Sequence, residues 1–167
     1  MIHSIKDFAF SWGQEIEATQ KVLKHLTDKS LSHEFSPAVR NPGRLAWHIT
    51  LTIPEMMERT GLKISGPKPD DPIPPSAKSI FNLYNEAAIS LLDQIQSHWT
   101  DETLEVEDEM YGENWKRGAT LTALINHQIH HRGELIVLMR LAGLAVPGIY
   151  GPTREEWAQF GMEPPKV

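Results

Sequence analysis

The sequence predicts an all-α protein, a four-helix bundle with at least one crossover and a short C-terminal helix. Three observations carry this. Four segments place apolar residues at helical spacing, three of them begin or end at a capping signal, and the connections between them are long and rich in proline or acid. One domain spanning 1–167 is expected, because 167 residues suffice for one hydrophobic core.

The first helix is read over 4–26, where Ile5, Phe8, Trp12, Ile16, Thr19, Leu23 and Leu26 form one stripe. The second starts at "NPGRLAWHIT", with Asn41 as N-cap and Pro42 at the first helical position, and runs to about Thr60. Pro54 lies inside it and should free the carbonyl of Thr50. The third covers about 76–98, with Ser76 as cap and Ile80, Tyr84, Ala87, Leu91 and Ile95 on its stripe. The fourth runs from Thr120 to about Leu141 and stops at Gly143. The piece "TREEWAQF" carries a Thr-x-x-Glu capping box and reads as the short fifth helix. Between the second and third helices, "GPKPDDPIPP" must be extended, which permits the crossover. The segment "LEVEDEMY" is the one place where a strand could pair briefly.

Composition narrows function. Forty per cent of residues are hydrophobic and the net charge is −6. With no basic stripe, nucleic acid and anionic membranes are poor partners, and a small-molecule substrate is expected instead. The absence of cysteine excludes thiolate ligands and cysteine nucleophiles and fits a reducing compartment. The start "MIHSIKDFAF" lacks a signal-peptide pattern, and no apolar run approaches the length of a membrane span. A cytoplasmic protein is expected.

The chemistry concentrates in "INHQIHHRGELIVLMR". His127 and His131 stand one turn apart, with Leu121, Leu124, Leu135, Leu138, Met139 and Ala142 on the same face, whereas His130 points about 100° away. The second helix places His48 on a row with Leu45, Thr52 and Met56. An imidazole in an apolar row is costly to bury unless its nitrogens are paired. Two readings stand side by side: packed core histidines, or three neutral imidazoles around one divalent ion with open positions for water or substrate. Glu134, one turn past His130 and His131, and Glu55, seven residues past His48, are candidates to orient a ligand or act as general base. The plainer reading of both, as solvated helix residues, is preferred. Tyr84 needs a hydroxyl partner if buried, Trp115 could wall a pocket, and Arg132 reads as an exposed salt bridge or a contact for an anionic substrate group.

The stretches "LAWHIT", "INHQIHHRGELIVLMRLAG" and "VPGIYGPTREEW" together resemble the DinB-like superfamily over nearly the whole chain. Its members are bacterial four-helix metalloproteins. They include YfiT-like metal-dependent hydrolases and S-transferases that use bacillithiol or mycothiol. The resemblance implies an up-down-down-up bundle, frequent homodimers and one divalent ion per chain. Zinc or nickel comes first among the metals, and iron and copper are also compatible. Matched by motif, the ligands are His48, His127 and His131, while His130 falls on the non-ligand histidine. Glu134 departs from the pattern, since many relatives carry Gln there. The activity implied is activation of a low-molecular-weight thiol for S-transfer. The alternatives are a hydrolase activating water, or a non-enzymatic, stress-linked metal-binding protein.

Overall fold

The computed structural model describes residues 1–166. Most of the chain is helical, with one small two-stranded sheet. The four long helices are α1 (Ile5–Leu23), α3 (Pro42–Glu58), α4 (Ala77–His98) and α5 (Arg117–Leu141). A one-turn helix, α2 (Asp28–Leu31), precedes α3 and was not expected from the sequence.

Three long helices start where side-chain oxygens relieve orphan amides. Ser4, Asn41 and Ser76 accept from the amides of Asp7, Arg44 and Ser79. Helix α5 differs: it begins at Arg117 rather than Thr120, and its N-cap Lys116 makes no side-chain capping bond. Its start is set by the hairpin before it. Strand β1 (Glu107–Met110) pairs antiparallel with β2 (Glu113–Lys116), and β2 leads directly into α5. The two-residue turn between them, Tyr111 and Gly112, has φ of 57° and 89°. Positive φ at both positions matches the right-handed twist of a tight hairpin. The expected short C-terminal helix is a 3-10 helix over Arg154–Phe160, and the Thr153–Glu156 capping box is present.

Helix α1 packs against α4 and α5, and α3 packs against the same two, so the four long helices close a ring. The predicted stripes meet inside it. Phe8, Trp12, Ile49, Ile53, Ile80, Tyr84, Leu91, Leu121 and Leu135 are buried in one cluster. Each such side chain contributes roughly 1.5–3 kcal/mol of burial free energy. Met56 and Met57 belong to that core.

Pro54 stands inside α3 without ending it. Nearby carbonyls take side-chain donors instead. Thr52 Oγ1 donates to the His48 carbonyl at 2.6 Å, and Gln128 Nε2 donates to the Ile49 carbonyl at 2.8 Å. The second bond ties α5 to α3 at a functional level, since Gln128 follows His127 and Ile49 follows His48.

Candidate metal centre

That tie fixes the register of the two histidine-bearing helices. His48 on α3 and His127 and His131 on α5 turn their rings toward one point. His48 Nε2 lies 3.2 Å from His127 Nε2 and 3.2 Å from His131 Nε2. The ring planes cross at 60°, 82° and 70°, so the rings splay around the point instead of stacking.

Protonation decides what this convergence means. His131 Nδ1 is 2.6 Å from Glu134 Oε2. A carboxylate only accepts, so Nδ1 carries a proton, and this bond turns Nε2 toward the centre. Burial, then the Arg40 charge, then His131 lower His48 to a pKa of about 4. His127 also falls to about 4, first by burial and then by the neighbouring histidines. At neutral pH both rings are uncharged, and a single proton on His48 Nε2 cannot point at both neighbours. His127 Nδ1 is buried without a hydrogen-bond partner among the described residues.

The donor set fits a metal ion. In a tetrahedral site with metal–nitrogen bonds of about 2.0–2.1 Å, ligand nitrogens stand about 3.3 Å apart. The observed 3.2 Å separations match that spacing. Three nitrogen donors from two helices also leave coordination positions open. The hydrogen bond from His131 holds the Glu134 carboxyl below the usual carboxylate range, as in carboxylate–histidine–metal arrangements.

The other candidates fall elsewhere. His130 is exposed and reaches only Glu134, at 3.4 Å. Glu55 is engaged: it pairs with Arg59 at 3.0 Å and accepts from the Tyr111 hydroxyl at 2.6 Å. It is therefore neither a ligand-orienting group nor a free base. Trp115 lies on β2, where its indole donates to Glu113, and the centre has no wall from it. Tyr84 is fully buried, yet its hydroxyl finds no hydrogen-bond partner among the described residues, and burial pushes its pKa up.

Arg132 corrects the sequence reading most. It is neither an exposed salt bridge nor a substrate contact, being only 1% exposed. Its guanidinium meets the Glu15 carboxylate at 2.7 Å, the Thr19 hydroxyl at 3.0 Å and the Tyr150 hydroxyl. Tyr150 in turn donates to Glu15 at 2.7 Å.

Sequence reasoning missed Arg40, in the loop before α3. Together with Ala38, Val39, Leu45, Glu134, Val137 and Leu138 it lines a groove of about 590 Å³. Glu134, the partner of His131, joins the groove to the histidines. The available sequence signal was a basic residue directly before the Asn41 cap.

The DinB family model matches residues 1–166. The chain belongs to the DinB family. It is 43% identical over 167 residues, all of both chains, to the uncharacterized protein YrdA of Bacillus subtilis. A DinB-like protein from Bacillus cereus, known from a crystal structure, is 45% identical and superposes with a TM-score of 0.85. That match covers 90% of this chain and 100% of the other. Among the described residues, no helix is long and apolar enough to cross a membrane.

Proposed function

We propose that this DinB family member is a metal-dependent enzyme that holds one divalent ion on His48, His127 and His131. Its reaction would be the activation of a low-molecular-weight thiol toward an electrophile. The observation that carries this reading is the convergence of three imidazoles, with His48 Nε2 3.2 Å from both His127 Nε2 and His131 Nε2 and with His131 Nδ1 bonded to Glu134. Zinc or nickel suits such a donor set, and iron and copper are also compatible. The bundle proposed is one up-down-down-up domain, acting as a cytoplasmic homodimer on a small-molecule substrate.

Within this reading the residues divide the work. A bound ion would lower the pKa of a thiol or water and so supply a nucleophile at neutral pH. His48, His127 and His131 contribute no charge, so the positive charge of the site stays undiluted. Glu134 fixes the His131 tautomer and ring angle. Gln128 holds α5 in register with α3. The adjacent groove admits a small-molecule body, as a thiol or its electrophile would need. Among the described residues no cysteine competes for the ion. A water-activating hydrolase is the second reading, because it uses the same donors. A non-enzymatic, stress-linked metal-binding role is the third.

The test is direct. Tag-free protein loaded with zinc or nickel is mixed with a small thiol and an activated aryl halide, and thioether formation is followed by absorbance. A rate above background that vanishes in His48→Ala supports the reading. Equal rates in both proteins contradict it.

A further inference from the structure

The groove beside the histidines carries a charge pattern that selects its occupant. Its lining is mostly aliphatic, from Ala38, Val39, Leu45, Val137 and Leu138. Val39 and Val137 stay 44% and 57% exposed, which is apolar surface facing the groove's solvent side. Two charged residues complete the lining, and they are not equivalent. The Glu134 carboxylate is committed to His131 at 2.6 Å and lies 3.4 Å from His130. The Arg40 guanidinium pairs with no carboxylate among the described residues. Arg59, Arg117, Arg132 and Arg140 are paired; Arg44 and Arg154 are not, among the described residues, but neither lines the groove.

We propose that this groove binds a small molecule with an aliphatic or aromatic body and a carboxylate-like anionic group, and that Arg40 is the residue that recognises the anion. The volume, about 590 Å³, lies in the range of small-molecule sites. Arginine offers a planar fork of donors that matches a carboxylate in two bonds. Arg40 is also electrostatically coupled to the centre, because its charge acts on His48, His127 and Glu134. A ligand anchored at Arg40 would extend along Val39 and Val137, past Glu134, toward the histidines. The inference rests on the metal reading only for the end of the ligand that lies at the centre.

The probes are hexanoate and its uncharged counterpart hexanamide. They are titrated into metal-loaded protein at fixed ionic strength, with backbone amide shifts of 38–40 and 137–138 as readout. The wild type should prefer hexanoate by about tenfold, the usual worth of one charge-assisted hydrogen bond. Arg40→Ala should bring the two probes within about twofold, and Arg40→Lys should restore part of the preference. Val137→Ser should weaken both probes together. His48→Ala, which removes a proposed metal ligand, should keep the hexanoate preference. A preference lost in His48→Ala but kept in Arg40→Ala would mean that the ion holds the carboxylate, and would overturn the proposal. Equal affinity for both probes in wild type would overturn it too. Failure to load metal would contradict the proposed function while leaving the Arg40 preference measurable.

Discussion

His131 and Arg132 are consecutive residues of α5 that end in opposite electrostatic situations. Arg132 turns into the bundle and meets Glu15, Thr19 and Tyr150, so a buried charge is neutralised and its main donors are used. His131 turns the other way and meets His48 and His127, each bringing a nitrogen and no charge. The first cluster neutralises its own charge. The second sets His48 Nε2 against two other ring nitrogens at 3.2 Å, where one proton can serve only one neighbour and a cation at the shared point would serve all three. A buried polar cluster that satisfies itself holds a fold together, whereas one that converges without satisfying itself marks a place for a ligand.

The comparison breaks first at Arg132. Removing one partner of a buried ion pair strands the other charge and typically costs about 3–5 kcal/mol. Glu15→Ala and Arg132→Ala should each lose stability on that scale in urea unfolding. Glu15→Gln should lose less, because Tyr150 and Arg132 keep an oxygen to bond. A loss below about 1 kcal/mol in Arg132→Ala would mean that the cluster is not the closed unit described.

Glu134 is the next point. Groups that orient a metal-bound histidine are typically worth about 10–100-fold in metal affinity. Glu134→Ala should weaken zinc affinity on that scale, measured by competition with a chelator, while thermal stability without metal barely changes. Unchanged affinity would detach Glu134 from the centre.

Acid distinguishes the clusters in a third way. His48 and His127 have folded pKa values near 4, below the ordinary 6.5 of an unfolded histidine. Between those values the unfolded chain binds more protons than the folded one, so stability rises with pH. Chelator-stripped protein should therefore be most stable above about 6.5 and lose stability as pH falls toward 4. A His48→Gln, His127→Gln double variant should show a flatter profile over that window. Identical profiles would place both rings in water. The smallest effect concerns the hairpin tip. Tyr111→Phe removes one half-exposed hydrogen bond to Glu55 and should cost no more than about 1 kcal/mol.

Local chemistry was legible in the sequence and distant pairing was not. Asn41 and Ser76 act as the caps expected of them because a cap needs only its own next three residues. The core stripes were readable for the same reason, and so was the one-turn spacing of His127 and His131. Arg132 was misread because its partner Glu15 comes from α1, and nothing local to α5 announces it. Strand β2, with the residues ENWK, has no apolar alternation and exists through its pairing with β1. Arg40 sits in an irregular loop where periodicity offers no guide, and only the fold brings it beside Glu134.

The central claim is that three histidines share one ion and the fourth nearby does not. Metal content of tag-free protein, measured by elemental analysis beside the single alanine variants of His48, His127, His131 and His130, tests it most directly. The account predicts close to one divalent ion per chain in wild type and in His130→Ala, with that ion lost from the other three. Equal loss in all four, or wild-type protein that takes up neither zinc nor nickel on titration, would contradict it.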